Sequence, residues 1–374
     1  MILFFTEQYY ADPYPILARS RDEARVHQVE GPNGRPVWVV TRYEDARAAL
    51  ADPRLRKRFT PPDEPPLFHM LNADEPDHTR LRKPLTRTFT ARRVEGLRSR
   101  IEEITDELLD GFAGSQVDLV ADLALPLPFR VIYELLGVPA TDQASLAAWG
   151  AVLSTESHDA DFEAAAQAMT EYFERLVAAK RAEPTDHLLG VLTDTELTDT
   201  ELVSTALLVL TAGYETTVNM ISNGVLALLQ HPEQLAKLRA DRSLLPGAIE
   251  EVLRFDAPLT FATHRFALEP AEIGGVTIPA RSVVLVGLAS ANRDPARFPS
   301  PDSFELDRAG GHLAFGHGIH FCLGAPLARL EGEVAFGRLL DRFASWELAV
   351  PASELVHPPS LLFRSLRSLP VRLS

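Results

Sequence analysis

Hydrophobic residues recur at helical spacing along most of this chain. The spacing predicts α-helices over 98–112, 146–181, 198–230 and 246–255. The segment 198–230 contains the run STALLVLTAG, which is apolar on nearly every side and therefore predicts a helix through the core. The 28 prolines cluster near the ends of the periodic segments, which is typical of many helices joined by tight loops.

Short apolar runs that predict strands are concentrated in two regions. The runs VHQV and VWVV flank an Asn-Gly turn at Asn33 and predict a β-hairpin over 27–40. A second strand region covers 272–288. Neither an internal repeat nor a Gly/Ser-rich linker interrupts the sequence. The pattern therefore predicts one domain over 1–374, mainly α with a small β region around 27–40 and 265–290.

The composition narrows the function classes. With 46% hydrophobic and 24% charged residues, the 374-residue chain has the balance of an ordinary globular protein. Its formal net charge of −15 argues against non-specific nucleic-acid binding, which needs basic surfaces. No apolar run approaches the roughly 20 residues that span a bilayer, and no signal-peptide pattern is present. A single cysteine fits a reducing, cytoplasmic setting. We expect a cytoplasmic monomer that binds neither nucleic acid nor membrane.

The segment AFGHGIHFCLGAPLARLE, residues 314–331, carries the candidate chemistry. It holds the only cysteine, Cys322, before an amphipathic helix and among three glycines, Gly316, Gly318 and Gly324. A lone cysteine can be a small buried hydrophobe. It can also be a nucleophile whose thiolate is activated by the helix N-terminus and by His317 and His320. Two further alternatives are a thiolate metal ligand and a zinc site built from the two histidines and the cysteine. The loop by itself leaves all four open.

The same loop resembles the haem-binding loop of the cytochrome P-450 superfamily. Phe315, Gly318, Cys322 and Gly324 occupy the family's Phe-x-x-Gly-x-x-x-Cys-x-Gly positions. The resemblance implies that the Cys322 thiolate is the axial ligand of a haem b iron, with Phe315 and Gly316 contributing to the cofactor site. It also implies the cytochrome P-450 fold, an α-helical prism with the haem between a long central helix and the cysteine loop.

A second motif supports this resemblance. AGYETT, residues 212–217, lies in the long apolar helix and is similar to the family's Ala-Gly-x-Glu/Asp-Thr-Thr motif. The resemblance implies that Gly213 lets haem or dioxygen approach, that Thr216 hydrogen-bonds the bound dioxygen, and that Glu215 supplies protons through water. From the residues alone, a buried threonine such as Thr217 can instead bond back to its own helix carbonyls.

Further charged residues match family positions in the expected order. The family's buried Glu-x-x-Arg pair and the later arginine that joins it match Glu251, Arg254 and Arg308, which implies a structural role in fixing the thiolate loop. Four cationic groups match the family's ligands of the haem propionates, namely His78, Arg82, Arg265 and His320.

These resemblances imply a haem-thiolate monooxygenase. It would insert one oxygen atom of O₂ into a hydrophobic small molecule, by hydroxylation or epoxidation in secondary metabolism. Because no dinucleotide-binding fingerprint follows a strand, electrons are expected from a separate ferredoxin and ferredoxin reductase. The alternatives are a peroxide-driven peroxygenase and a catalytically silent haem-binding scaffold.

The sequence also predicts where partners bind. The substrate pocket is expected at 59–70, 148–172, 261–262 and 362–363, by loose correspondence with the family. Ferredoxin is expected on a basic patch, defined as Lys83, Arg87, Arg92, Arg93 and Arg329.

Overall fold

The structure is a computed structural model that describes residues 4–58, 68–153, 160–308 and 310–374. Two of the expected pocket segments, 59–70 and 148–172, therefore lie partly outside the described residues. The described chain divides into two compact units. The first comprises residues from 1–60, 94–127 and 215–374, and the second those from 61–93 and 128–214.

Helices make up most of the described chain. In chain order they are α1 (Glu7–Ala11), α2 (Tyr14–Glu23), α3 (Tyr43–Ala51), α4 (Asp77–Thr88), α5 (Ala91–Glu95), α6 (Arg98–Asp110), α7 (Pro126–Leu136), α8 (Gln143–Leu153), α9 (Ala160–Ala182), α10 (Leu188–Leu192), α11 (Asp199–Gln230), α12 (Pro232–Ala240), α13 (Leu245–Phe255), α14 (Leu288–Asn292) and α15 (Ala325–Arg342). The strands are β1 (Val26–Glu30), β2 (Pro36–Val40), β3 (Leu55–Arg56), β4 (Gln116–Asp118), β5 (Arg265–Ala267), β6 (Ala271–Ile273), β7 (Val276–Ile278), β8 (Val283–Val286), β9 (Trp346–Leu348) and β10 (Pro370–Leu373).

The predicted helices correspond closely to these bounds. Helices α6, α11 and α13 fall within one or two residues of the predicted limits at nearly every end. The periodic segment 146–181 contains two helices, α8 and α9, while 154–159 lies outside the described residues. No helix in the described residues combines the length and the apolar character needed to cross a bilayer.

Six strands, β1, β2 and β5 to β8, lie in the two regions that the sequence predicts as β, whereas β3, β4, β9 and β10 lie outside them. β1 and β2 form the antiparallel hairpin with Val26 opposite Val40, and Gly34 in their turn has φ 72°, which favours glycine. β2 pairs in parallel with β8, and the five-stranded sheet has the order β1-β2-β8-β5-β3. Gly274 and Gly275, both at positive φ, turn β6 back onto β7. The remaining sheet joins β4, β10 and β9.

The second unit is helical throughout its described elements. Its helices α8 and α9 pack along each other, and Phe173 of α9 is fully buried. The ring of Phe129 stacks on Tyr214, with centroids 4.0 Å apart. An ion pair of 2.6 Å between Arg80 and Glu201 joins α4 to the start of α11. These contacts fix the N-terminal half of the long helix within this unit.

Two glycines bring α11 and α15 close together in the first unit. A Cβ atom at Gly224 of α11 would lie 2.5 Å from the ring of Phe336 on α15. A Cβ atom at Gly332 of α15 would lie 2.8 Å from Cε of Met220 on α11. Each helix thus receives a side chain of the other over its own glycine. The spacing between the two helices depends on these two small residues.

We predict opposite effects for two glycine-to-alanine changes. Gly224→Ala should lower the free energy of unfolding by about 1–2 kcal/mol, because overpacking against a rigid ring and Val252 outweighs the gain in helix propensity. Gly337→Ala is the matched control, since its nearest neighbour would be a Leu245 methyl at an ordinary 3.7 Å. It should raise stability by about 0.5–1 kcal/mol. Thermal or urea unfolding measures both, and equal changes of the same sign would contradict the close approach.

Candidate active site

The cysteine loop is shaped by its own backbone. The Cys322 amide donates to the Phe315 carbonyl at 2.9 Å, and the Gly316 amide donates to the Leu313 carbonyl at 2.8 Å. Gly316 and Gly318 have φ values of 73° and 75°, a region that L side chains rarely adopt. The loop therefore closes a tight turn that places the cysteine three residues before the start of α15.

Cys322 is exposed in the protein chain. This exposure excludes the alternative of a small hydrophobe inside the core. A Cβ atom at Gly324 would lie 3.9 Å from the Cys322 sulfur, an ordinary van der Waals contact, so this glycine is not required by space beside the sulfur. Among the described residues, no group of three His, Cys, Asp or Glu side chains could hold a metal ion, which leaves the zinc alternative without support.

The long helix α11 is buried except around the second motif. Residues 201–210 and 217–228 are buried, whereas Thr211 and Ala212 are exposed and 213–216 are partly exposed. The motif is thus the stretch where the core helix becomes accessible. Thr217 is buried and Thr216 is not, so Thr216 is the threonine that a ligand beside the helix could reach.

Gly213 has a packing reason that the sequence did not reveal. A Cβ atom at this position would lie 2.7 Å from Cδ1 of Ile132, within the second unit. A side chain at this position would therefore have to displace the terminal methyl group of Ile132. The close approach of haem or dioxygen to Gly213 stays a prediction.

Glu215 has its proton affinity set by its surroundings. Burial raises the pKa of its carboxyl group from 4.5 to about 7. The group therefore exchanges its proton close to neutral pH. Such a carboxyl can both give and regain a proton under ordinary conditions, as a proton-supplying residue requires.

The expected Glu-x-x-Arg pair is present and buried. Glu251 and Arg254, each 2% exposed, form two hydrogen bonds of 2.7 and 2.8 Å. Arg308 joins them, with its Nε atom 3.3 Å from the Glu251 carboxylate. The Glu305 amide donates to the same carboxylate at 2.8 Å. The predicted grouping of these three side chains is confirmed.

This network reaches the cysteine loop through α14. Arg254 donates to the carbonyl of Asn292 at 3.0 Å, and the Asn292 side-chain oxygen accepts from the Leu313 amide at 2.6 Å. Leu313 is the residue whose carbonyl closes the loop at Gly316. Asn292 therefore connects the buried Glu251–Arg254 pair to the start of the cysteine loop.

The four expected propionate ligands are divided between the two units. His78 and Arg82 lie one turn apart on α4, in the second unit. Burial lowers the pKa of His78, a hydrogen bond to Glu75 opposes this, and the Arg82 charge lowers it further. The role of His78 as a partner of the propionates stays a prediction.

The other two expected ligands belong to the first unit. Arg265 is buried on β5 and donates to the Leu55 carbonyl at 3.2 Å. His320 ends the short 3₁₀ turn Gly318–His320 and is half-buried. An accessible sulfur, a buried guanidinium and an imidazole in one unit form a donor set that suits a haem with acidic side chains.

The structure corrects one pocket expectation and adds two residues. Phe261 is fully buried in a core cluster, with its ring 6.0 Å from that of Phe5, and therefore does not line a pocket. Glu250 contacts both Arg329 and His312 beside the cysteine loop. Neither Glu250 nor His312 was predicted from the sequence as a residue of this site. The sequence does contain one sign of a role for Glu250, which is its position next to Glu251. Consecutive residues of a helix face different neighbours, so the two acids could not both serve the Arg254 pair.

We predict a pH effect of Glu215 on stability. Its folded pKa lies above the ordinary value of the unfolded chain, so the folded state keeps a proton that the unfolded state has released. This stabilising contribution is complete below about pH 4.5 and is lost as the pH rises through about 7. Between about pH 6 and pH 8, the free energy of unfolding of wild type should fall by about 1 kcal/mol relative to that of Glu215→Gln.

Urea unfolding at constant ionic strength measures this difference. Glu201→Gln on the same helix is the control, because hydrogen bonds to Arg80 and Thr198 lower the pKa of Glu201 despite its burial. The pH dependence of its free energy of unfolding should equal that of wild type between about pH 6 and pH 8. Parallel pH profiles of wild type and Glu215→Gln would contradict the raised pKa.

Comparison with known proteins agrees with this geometry. The family model described as Cytochrome P450 matches residues 153–358. The cytochrome P450 monooxygenase PikC of Streptomyces venezuelae is 48% identical, over 98% of this chain and 92% of its own. The 6-deoxyerythronolide B hydroxylase of Saccharopolyspora erythraea is 43% identical, over 98% of each chain. The ligand-free structure of the P450 monooxygenase TamI matches with a TM-score of 0.94 at 47% identity, over 100% of this chain and 94% of that one. This chain belongs to the cytochrome P450 family and is a monooxygenase that uses haem b.

Proposed function

We propose that this enzyme hydroxylates or epoxidises a hydrophobic small molecule of secondary metabolism, with Cys322 as the axial ligand of the haem. The observation that carries the proposal is the exposed sulfur of the only cysteine, held by a glycine loop at the entrance of α15. Haem, when bound, supplies the activation of dioxygen. The N-terminus of α15 favours a negative sulfur, because the helix dipole places partial positive charge there.

Thr216 and Glu215 are proposed to handle the oxygen and proton chemistry. They lie next to each other where α11 becomes accessible, and the Glu215 carboxyl exchanges its proton near neutral pH. Thr216 offers a hydroxyl that can donate to bound dioxygen, and Glu215 can resupply protons through water. Reduction of dioxygen to the oxidation level of hydrogen peroxide consumes two protons, whereas cleavage of hydrogen peroxide consumes none overall, so a residue that resupplies protons favours the dioxygen route over the peroxygenase and the silent scaffold.

Side chains that match the family's cofactor positions are proposed to hold the haem. The proposed partners of the propionates are His78, Arg82, Arg265 and His320. Phe315 and Gly316 are proposed to face the macrocycle from the cysteine loop, and Gly213 from α11. Arg265 supports this assignment because its buried guanidinium supplies a positive charge that suits an acidic cofactor side chain.

Electrons are proposed to come from a separate ferredoxin and its reductase. Lys83, Arg87, Arg92 and Arg93 are exposed in the second unit, in a chain of net charge −15. Such a local basic segment attracts an acidic partner. Arg329, in the first unit, is committed to an internal ion pair and contributes less than expected. The single cysteine supports a reducing cytoplasm as the place of action, and we propose a monomer.

We predict that Thr216→Ala uncouples electron use from product formation. Without the hydroxyl, the share of NADPH electrons recovered in product should fall about tenfold, the equivalent of one strong hydrogen bond, and hydrogen peroxide should take up the difference. Product and peroxide are measured against NADPH with a surrogate ferredoxin and reductase. Thr216→Ser should restore most of the coupling.

Two controls make this prediction specific. Thr211→Ala removes an exposed hydroxyl of the same helix that already donates to the Leu207 carbonyl at 2.8 Å, so its coupling should equal that of wild type. Thr217→Ala should leave coupling near wild type because Thr217 is buried. Uncoupling by Thr217→Ala with normal coupling in Thr216→Ala would transfer the role to Thr217.

The substrate is proposed to be a hydrophobic metabolite of the kind that the relatives' names indicate. We predict that 6-deoxyerythronolide B, the compound in one relative's name, shifts the Soret band of the ferric protein with a Kd of about 1–100 μM. A hydrophilic compound such as glucose should leave the band unchanged. No response to 6-deoxyerythronolide B or to related apolar compounds would reject this substrate class.

A further inference from the structure

Two consecutive acids on α13 face different parts of the first unit. Glu251 faces the buried Arg254 and Arg308. Glu250 faces α15, where its carboxylate accepts from Nε and Nη2 of Arg329 at 2.6 and 3.0 Å. This geometry is the bidentate contact that only arginine can make with a carboxylate. Glu250 therefore holds Arg329, which lies on α15, the helix that follows Cys322.

His312 completes the contact from the cysteine loop. Its Nδ1 atom accepts from the Ala314 amide at 3.1 Å, so the proton of the neutral ring lies on Nε2. Nε2 is 3.2 Å from the Glu250 carboxylate and donates to it. The His312 side chain is 4% exposed, which keeps water away from this hydrogen bond. The start of the loop is thereby fixed to the same carboxylate as Arg329.

Arg329 also covers the loop directly. Its guanidinium carbon lies 4.5 Å from the centroid of the Phe315 ring, a cation–π distance. Phe315 is the residue whose carbonyl accepts from the Cys322 amide. The guanidinium is therefore placed over the residue that closes the loop around the sulfur.

Glu250 and Arg329 are both charged at physiological pH. Burial raises the pKa of Glu250, but hydrogen bonds from His312 and Arg329 outweigh burial and bring that pKa to about 2. The hydrogen bond to Glu250 raises the pKa of Arg329, and burial opposes this rise. The cluster therefore keeps a positive charge over the Phe315 ring.

We propose that Glu250, His312 and Arg329 form a positioning unit that holds the cysteine loop and keeps a positive charge over Phe315, the residue whose carbonyl accepts from the Cys322 amide, so that Arg329 tunes the reduction potential of the haem iron. The inference rests on the proposed ligand role of Cys322. Reduction adds one electron to the iron, and a nearby cation stabilises the reduced state. Arg329 is thus a positioning residue that acts through the thiolate rather than on substrate.

The test compares two arginines of α15 in the holoenzyme. Arg329→Gln should move the ferric/ferrous midpoint potential to more negative values. It should also raise the fraction of reduced carbon monoxide complex that lacks the red-shifted Soret band. Arg338→Gln is the matched control, because Arg338 is on the same helix, has the same 35% side-chain exposure and pairs with Glu102. Both readouts should stay at wild-type values in that variant.

Arg329→Lys separates charge from geometry. It retains the cation but loses the bidentate contact, so its potential should lie nearer to wild type than that of Arg329→Gln. Equal potentials of Arg329→Gln and wild type would overturn the inference. Equal shifts in Arg329→Gln and Arg338→Gln would also overturn it, because the effect would then belong to overall surface charge.

Failure of the ligand assignment is distinguishable from failure of this inference. If the Cys322→Ser holoprotein retained the red-shifted band, both the axial role of Cys322 and the role of Arg329 would be lost. If Cys322→Ser loses that band while Arg329→Gln keeps the wild-type potential, only the inference about Arg329 fails.

Discussion

The close approach of α11 and α15 is the constraint on which the active site depends. Phe336 occupies the space over Gly224, and Met220 occupies the space over Gly332. One of these helices carries the accessible Thr216 and Glu215, and the other begins at the cysteine loop. Because protein interiors are close-packed, a displacement of either helix at the glycines moves its functional segment as well. Residues that do no chemistry thus set the geometry for those that do.

Buried charge provides the second constraint, and it acts on shape more than on stability. A buried ion pair such as Glu251–Arg254 contributes little net stability, yet breaking it costs on the order of 3–5 kcal/mol. Arg254 also donates hydrogen bonds to the carbonyls of Asn292, Pro301 and Ser303. The Asn292 carbonyl lies at the C-terminal end of α14, and the Pro301 and Ser303 carbonyls lie in turns. The ion pair therefore selects one conformation of the chain that leads into the cysteine loop.

The sequence predicted element types and the central motifs, because local patterns determine both. The hairpin over 27–40 and the helix α11 follow from turn chemistry and from continuous apolar character. The neighbours of individual side chains were harder to predict. Phe261 reads as an apolar pocket residue, but it packs in the core. Apart from its position next to Glu251, Glu250 has no feature in the sequence that sets it apart from a surface acid, but its neighbours Arg329 and His312 lie more than sixty residues away along the chain. Periodicity carries no information on such long-range contacts.

The outer side of α15 is held differently from its inner side. Arg98 of α6 pairs with Glu333 at 3.2 Å, Arg338 pairs with Glu102 at 3.1 Å, and Arg342 pairs with Asp110. These pairs are partly exposed, so each contributes about 0–1 kcal/mol and is weakened by added salt. The glycine contacts on the inner side are apolar and insensitive to ions. A rise in ionic strength therefore weakens the contacts on the outer side of α15 and leaves the apolar contacts on its inner side unchanged.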